Sequence, residues 1–253
     1  MEHSSDLIFG LHPVEEALRS SVQIDKILIA RQEKGQPSVR TGSLDEIKEN
    51  ARKKSVAINY VPVDKLNRIT RKNHQGVVAF ISPISFQSIE QLLPQLMEKK
   101  EAPLLLVLDG ITDVRNFGSI VRTAECMGVD AVVMPARNAS PINADAVKTS
   151  AGAVFNIPIC KEKHFGSILQ FIQESGVRLL ACSEKALIPM YTARLTGPLA
   201  VIMGDEGVGI HEKTLERVDQ HIGIPMKGKT SSLNVSVATG MLLSECNRQR
   251  LSE

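Results

Sequence analysis

The pattern of hydrophobic and polar positions divides the chain into a short N-terminal unit, a connecting segment and a longer C-terminal unit. In residues 1–82, apolar runs of strand length alternate with polar stretches and with helix-start signals such as Pro13. Strands are predicted at Leu7–Gly10, Ile24–Ala30, Val56–Val61 and Val77–Ile81, and helices at 14–18 and from Ser43 or Asp45 to Lys54. This order favours a small α/β domain that binds rather than catalyses, because we identify no nucleophile and base in it.

Residues 83–102 are predicted as a linker with one helix near 88–100, and residues 103–253 as a larger domain. The apolar strands of this domain are continuous rather than alternating, which is typical of a parallel sheet covered by helices on both faces. Strands are predicted at 104–108, 131–134, 157–160, 178–182, 199–203 and 221–224, and helices near 118–127, 143–150, 165–175, 211–217 and 233–248. The fold class is therefore α/β, with a ligand site expected at the carboxyl ends of the parallel strands.

Three polar loops follow such strand ends, and they begin at Asp109, Gly204 and Pro225. In the first loop, Asn116 is predicted as the N-cap of a helix that carries Arg122 six residues later. Arg122 is either a surface or ion-pair residue, or a clamp for a phosphate or hydroxyl group, because a guanidinium presents a planar fork of donors.

The second loop contains Gly204, Gly207 and Gly209, with Glu206 among them. The glycines permit a tight turn and a close approach of the backbone to a flat ligand. The loop lacks the Gly-Lys-Ser/Thr of a P-loop and the spacing of a dinucleotide-binding fingerprint, which disfavours a Rossmann-type dehydrogenase.

The third loop leads into the C-terminal helix. Ser232 is predicted to cap a helix that begins near Leu233. Ser232 and Asn234 would then stand at a helix N-terminus, where free N–H groups attract an anionic or polar ligand. A capped core helix without a ligand is the alternative interpretation.

Charge adds one feature. The net charge is only +2, so a nucleic-acid partner requires a local basic patch. The N-terminal unit offers one at Arg52, Lys53, Lys54, Lys65, Arg68, Arg71 and Lys72. This run is either an RNA contact or a solvated face.

The four cysteines are Cys126, Cys160, Cys182 and Cys246. They form no CxxC pair and have no histidine at zinc spacing, so we expect buried free thiols and no metal. Free thiols fit a reducing cytosol. The sequence shows no signal peptide and no apolar window of membrane-spanning length, so we expect a soluble, cytoplasmic protein without a membrane partner.

Taken together, the three loops resemble the three motifs of the SpoU (TrmH-like) RNA ribose 2′-O-methyltransferases, in their order. The motifs are Asn116…Arg122, Gly204-x-Glu206-Gly207-x-Gly209, and Ile224-Pro225-Met226 with Ser232-Leu233-Asn234-Val235-Ser236-Val237-Ala238. The N-terminal unit is similar to the L30e-like substrate-binding domain of this family, at Phe9-Gly10-Leu11-His12-Pro13-Val14 and His74-Gln75-Gly76-Val77-Val78-Ala79. One departure is Asp205, which stands where the family often has a small residue.

The resemblance implies a SPOUT-type catalytic domain with a C-terminal trefoil knot, preceded by the L30e-like domain. It also implies a homodimer whose active site is completed across the interface, and S-adenosylmethionine as the methyl donor, with S-adenosylhomocysteine as product. The implied catalytic residues are Asn116, Arg122, Glu206, Ser232 and Asn234. The implied cofactor-binding residues are Gly204, Glu206, Gly209, Ile224, Met226, Ser232 and Leu233.

The two-domain layout is similar to that of the bacterial family members that methylate a guanosine ribose in 23S ribosomal RNA, so structured RNA is the expected partner. Two alternatives stay open: a tRNA guanosine 2′-O-methyltransferase, and a non-catalytic RNA-binding assembly factor of the same fold. We expect Arg122 to act electrostatically, because a guanidinium keeps its proton at neutral pH. Asn116 would orient Arg122, Glu206 and Ser232 would hold the ribose, and Asn234 would secure the loop.

Overall fold

The computed structural model describes residues 7–31, 41–54 and 56–252. The chain forms two compact units. One comprises the described residues up to Ser85 together with Ile142–Ala144, and the other comprises Phe86–Pro141 and the described residues from Asp145 onwards. Each unit has its own sheet. The exact domain limits at 82 and 102 stay predictions.

The first unit is a small α/β structure. Its elements are β1 (Leu7–Phe9), α1 (Leu11–Arg19), β2 (Ile24–Ala30), α2 (Thr41–Lys53), β3 (Ala57–Val61), α3 (Val63–Ile69) and β4 (Val77–Ile81). The sheet order is β1-β4-β2-β3, in which only β2 and β3 pair in parallel. All four predicted strands are present. The helix α3 was not predicted, because its seven residues include a single buried one, Leu66, and give almost no periodic signal.

Two N-terminal motifs meet where β4 begins. Oε1 of Gln75 accepts a hydrogen bond from the N–H of Leu11, the first residue of α1, over 3.0 Å. Nδ1 of His74 accepts from the N–H of Gly76 over 3.0 Å, so the ring proton lies on Nε2, which is 2.9 Å from Oδ1 of Asn67. These side chains satisfy backbone donors that would otherwise be unpaired at a helix start and a strand start.

The second unit is built around a parallel sheet. Beyond Ser85 the elements are α4 (Ile89–Lys99), β5 (Leu104–Asp109), α5 (Val114–Cys126), β6 (Ala131–Pro135), α6 (Ala144–Thr149), β7 (Ile159–Glu162), α7 (Phe165–Glu174), β8 (Arg178–Cys182), β9 (Ile188–Pro189), β10 (Leu199–Gly204), α8 (Glu212–Leu215), β11 (Gln220–Gly223) and α9 (Val235–Arg250). The seven strands lie in the order β7-β6-β5-β10-β8-β11-β9, and every pairing is parallel. The predicted parallel sheet is confirmed; β9 is too short for a hydrophobic pattern to reveal.

The helix α4 lies within the segment that the sequence predicts as a linker. Its Ile89 and Leu93 are fully buried, and they pack in the same hydrophobic core as the central strands and α7. The part of this segment that forms α4 therefore belongs to the second unit. The two residues are one helical turn apart, which is the spacing of a buried helix face.

The carboxyl ends of the central strands position the functional loops. β5 ends at Asp109 and β10 ends at Gly204, and the sheet register pairs these two residues directly. The neighbouring strands β8 and β11 end at Cys182 and Gly223. Because the strands are parallel, the loops that follow them leave from one edge of the sheet, as the sequence analysis expected.

Candidate active site

The loop after β10 is a tight, internally bonded turn. The N–H of Asp205 donates to the carbonyl of Gly209 over 3.1 Å, and the N–H of Gly209 donates back to the carbonyl of Asp205 over 2.8 Å. A Cβ on Gly204 would lie only 2.3 Å from the backbone of Gly209 and Ile210. Position 204 therefore requires glycine, since any side chain would open the turn.

Asp205, the departure from the family pattern, has a structural role in this turn. Its Oδ1 accepts hydrogen bonds from the N–H groups of Gly207 (2.8 Å) and Val208 (3.2 Å). This is an Asx-type turn, in which a short carboxylate replaces a missing backbone partner. The departure thus strengthens the loop rather than removing a motif residue.

Glu206 projects from the turn towards the start of α9. Its Oε1 accepts a hydrogen bond from the N–H of Val235 over 3.1 Å, and a short one from Nδ2 of Asn234. The same Nδ2 group donates to Oδ1 of Asn116 over 3.0 Å. The structure therefore brings three of the predicted catalytic residues, Asn116, Glu206 and Asn234, into one hydrogen-bonded cluster.

Both predicted helix caps are wrong by a few residues. The N-cap of α5 is Asp113, whose Oδ1 accepts from the N–H of Asn116 over 2.8 Å, so Asn116 lies inside the first turn. The N-cap of α9 is Asn234 and not Ser232, because Oδ1 of Asn234 accepts from the N–H groups of Ser236 and Val237. Asp and Asn cap as well as Ser, so sequence alone does not choose between nearby candidates.

A pocket lies beside this cluster, with about 600 Å³ of open space. All seven predicted cofactor-binding residues line it: Gly204, Glu206, Gly209, Ile224, Met226, Ser232 and Leu233. The sequence analysis missed the other lining residues, Cys182, Ser183, Glu184, Met203, Asp205, Ile210, Val235 and Ala238. The rule that ligands gather at parallel strand ends could have found Cys182–Glu184, because Cys182 ends β8.

Arg122 is not part of the cluster and does not line this pocket. It lies on the exposed side of α5, six residues after Asn116, which places it about 120° around the helix from Asn116. In the part of the chain that the structure describes, its guanidinium makes no hydrogen bond or ion pair. The next residue, Thr123, contacts α9 at Gly240, where an added Cβ would lie 3.8 Å from the Thr123 methyl group.

The cysteines contribute no reactive thiolate to the pocket. Burial, with a smaller effect of Glu184, raises the pKa of the Cys182 thiol to about 12, and burial has the same effect on Cys160 and Cys246. Cys126 is exposed, so the prediction of four buried thiols is wrong for this residue. Within residues 7–31, 41–54 and 56–252, we find no cluster of metal-ligating side chains and no helix long and apolar enough to cross a membrane.

Two families match the chain, one over each unit. The SpoU rRNA Methylase family matches residues 103–244, and the family described as RNA 2'-O ribose methyltransferase substrate binding matches residues 7–87. The resemblance inferred from the three loops and the two N-terminal motifs is thereby confirmed.

Individual proteins agree with these families. The chain is 36% identical over 248 residues to the 23S rRNA (guanosine-2'-O-)-methyltransferase RlmB of Photorhabdus laumondii, covering 98% of this chain and 100% of the relative. It is 32% identical over 250 residues to the putative TrmH family tRNA/rRNA methyltransferase YacO of Bacillus subtilis, covering 99% and 98%. The AdoMet-bound rRNA methyltransferase of Sinorhizobium meliloti has the same fold, with a TM-score of 0.60 at 22% identity, over 96% of this chain and 87% of that one.

Proposed function

The chain belongs to the SpoU rRNA methylase family, and we propose that it transfers a methyl group from S-adenosylmethionine to the ribose 2′-hydroxyl of a guanosine in 23S ribosomal RNA. One observation carries this proposal: the second and third motifs line a single pocket, and Glu206 in its lining is joined through Asn234 to Asn116 of the first motif. The relative from Photorhabdus laumondii bears the name of this activity.

The pocket suits the methyl donor in its lining, which combines apolar side chains with a few polar groups. Ile210, Ile224, Met226 and Leu233 offer apolar surface, while Gly204 and Gly209 allow the backbone to approach the ligand closely. We propose that these residues hold S-adenosylmethionine, which supplies an electrophilic methyl group when it is bound.

The protein itself would supply alignment and electrostatics. Glu206 and Ser232 line the pocket and are proposed to hold the acceptor ribose, while Asn234 fixes Glu206 relative to Asn116. Alignment of an acceptor oxygen with a methyl group provides much of the rate enhancement of such a transfer. Arg122 would stabilise the negative charge that develops on the 2′-oxygen, and its planar donors would grip an adjacent phosphate.

Arg122 is exposed and does not line the pocket of its own chain, and this supports a homodimeric enzyme. The α9 helix, which packs against α5, has an exposed apolar side on which Val237 and Met241 are 52% and 36% accessible. A second copy seated on this side would cover the two apolar residues. In this proposed homodimer, the Arg122 of one protomer would serve the pocket of its partner.

A trefoil knot is proposed for the second unit. The segment between β8 and β10 wraps the end of β11, since the N–H groups of Ser183 and Met190 donate to the carbonyls of Ile222 and Gly223. The last turns of α9 return to the same segment, where Gln249 donates to the carbonyl of Ala193 over 3.1 Å. A chain end that passes through this segment would account for both sets of bonds.

RNA is proposed to contact the first unit, for which an L30e-like fold stays a prediction. Lys65 and Arg68 lie one turn apart on the exposed side of α3, and Arg71 follows that helix. Among the described residues, these three side chains have no hydrogen-bond or ion-pair partner, whereas Lys53 pairs with Glu49. A cytoplasmic location is proposed as well, because four free cysteines suit a reducing compartment.

The test uses ribosomal RNA and transfer RNA from a strain that lacks the gene. Each RNA is incubated with the purified protein and labelled S-adenosylmethionine, then digested to nucleosides. We expect label in 2′-O-methylguanosine from the 23S RNA. Label only in the transfer RNA would support the tRNA alternative, and absence of donor binding in calorimetry would support a non-catalytic assembly factor.

A further inference from the structure

A buried carboxylate and a histidine form a bonded pair at the end of the central strand, beside the pocket but not in its lining. Asp109, the last residue of β5, is only 3% exposed. Its Oδ2 accepts a hydrogen bond from the backbone N–H of His211 over 3.0 Å, and its Oδ1 lies 2.8 Å from Nδ1 of the same histidine. Because an ionised carboxylate only accepts, the imidazole must donate from Nδ1.

Asp109 contacts both ends of the loop Gly204–Ile210, which we call the glycine loop. At its beginning, Gly204 is the direct neighbour of Asp109 in the parallel sheet. At its end, His211 returns to Asp109 through two hydrogen bonds. Between the two ends, Asp205 and Gly209 bond each other through their backbones. These contacts therefore restrain the loop at both ends while the pair is intact.

The ring of His211 also packs against the loop that follows β5. Gly110 has φ of +83°, and a Cβ there would lie 3.1 Å from Cε1 of His211 and 3.8 Å from Cβ of Asp205. The imidazole thus fills the space between two of the three functional loops. Half of the His211 side chain is still accessible to solvent, so its replacement does not open a cavity in the core.

We infer that His211 is a positioning residue for methyl-donor binding, which acts by holding the loop Gly204–Ile210 in its pocket-lining conformation. The inference rests on the proposed function of this pocket. Hydrogen bonds to a charged group such as a carboxylate are stronger than those between two neutral groups. We therefore expect the loss of this bond to lower the affinity for the methyl donor measurably. The backbone bond of His211 would remain and would hold the loop only in part.

Two variants of His211 separate this role from general structure. His211→Leu removes the ring donor, whereas His211→Asn retains it, because the amide nitrogen of asparagine occupies the place of Nδ1. We expect His211→Leu to raise the Kd for S-adenosylhomocysteine and the KM for S-adenosylmethionine about 10-fold, with a smaller change in kcat. His211→Asn should stay within about 2-fold of the wild type. A leucine variant with wild-type affinity, or an asparagine variant as weak as leucine, overturns the inference.

Amide hydrogen exchange of the ligand-free protein provides a second measurement that does not depend on the reaction. We expect residues 205–210 to exchange faster in His211→Leu than in the wild type, and at the wild-type rate in His211→Asn. Equal exchange in all three proteins overturns the inference. If the wild type itself binds neither the donor nor its product, the proposed function fails, and the exchange experiment still decides whether His211 holds the loop.

Discussion

Asn234 donates a hydrogen bond from Nδ2 to Oδ1 of Asn116 over 3.0 Å, across 118 positions of the sequence. The same amide nitrogen contacts Glu206, and the amide oxygen caps α9 through the N–H groups of Ser236 and Val237. One side chain therefore connects all three motifs: its own, that of Asn116 and that of Glu206. We therefore expect both stability and activity to depend on this residue, and mutation to separate the two effects.

Asn234→Ala removes the cap and the link, whereas Asn234→Ser keeps a capping oxygen and loses the amide donor. We expect Asn234→Ala to lower the free energy of unfolding by about 1 kcal/mol and kcat/KM by about 10-fold or more. Asn234→Ser should regain most of the stability and none of the activity. Urea unfolding and methyl transfer measure the two effects. Wild-type activity in Asn234→Ser would mean that the link to Asn116 and Glu206 is dispensable.

The role of Arg122 is tested by Arg122→Lys, which keeps the positive charge and loses the planar fork of donors. We expect methyl transfer to fall by about 100-fold, because a lysine cannot contact a ribose oxygen and a phosphate together. The thermal midpoint should not change, since Arg122 is exposed. A pH–rate profile accompanies the measurement. Near-wild-type turnover of Arg122→Lys would argue against the clamp.

Gly204→Ala tests the tight turn, and Gly207→Ala serves as the matched control. The first Cβ would lie 2.3 Å from the backbone of Gly209, while the second would meet only Oδ1 of Asp205 at 3.4 Å. We therefore expect Gly204→Ala to weaken S-adenosylhomocysteine binding by about 10-fold or more, and Gly207→Ala to weaken it by less than about 2-fold. Calorimetry gives both values. Equal affinities would show that the turn can open without loss of the pocket.

Removal of the free cations of α3 should weaken RNA binding. For Lys65→Ala/Arg68→Ala, we expect a lower affinity for RNA. The slope of log K against log salt concentration should be smaller in magnitude by about 1.5, because the loss of two phosphate contacts means that fewer counterions are released on binding. The control is Lys48→Ala/Lys100→Ala, which removes the same charge from two lysines that lie outside the basic run and pair with acids. Filter binding at several salt concentrations measures the slopes. Identical slopes in the two variants would place the RNA elsewhere.

Glu245 should make stability depend on pH in the acid range. Hydrogen bonds from Arg248 and Gln249 hold the pKa of this carboxyl at about 2, below its ordinary value of 4.5. A lowered pKa means that the ionised form stabilises the fold above pH 4.5, and that this stabilisation is lost as the pH falls towards 2. Glu245→Gln should therefore be less stable than the wild type at neutral pH.

The measurement is urea unfolding of wild type and Glu245→Gln at a series of pH values. The difference in unfolding free energy between the wild type and Glu245→Gln should be largest near neutral pH and should disappear at acid pH. Glu49→Gln is the control, because the exposed Lys53 partner of Glu49 contributes little. A gap for Glu245→Gln that does not change with pH would contradict the assigned cause.

Much of this architecture follows from local pattern. Continuous apolar strands such as Leu104–Asp109 predict a parallel sheet, and a parallel sheet places the loops after Asp109 and Gly204 at one edge. The seven residues predicted to bind the cofactor share one pocket for this reason, although their individual roles stay predictions. The positions of the helix caps were harder to predict from the sequence. Asp113 and Asn116, or Ser232 and Asn234, have similar capping chemistry, and only the backbone geometry selects one of each pair.

By itself, the sequence determined the order of the elements other than α3 and β9, the family and the three loops that form the site, because hydrophobic periodicity and short motifs are local properties of the chain. Only the tertiary structure decided which side chains meet across the loops. Asp109 and His211 are 102 positions apart, and no periodicity links them. They pair because the register of β5 and β10 places Gly204 beside Asp109, and because the tight turn then returns the chain to the same carboxylate.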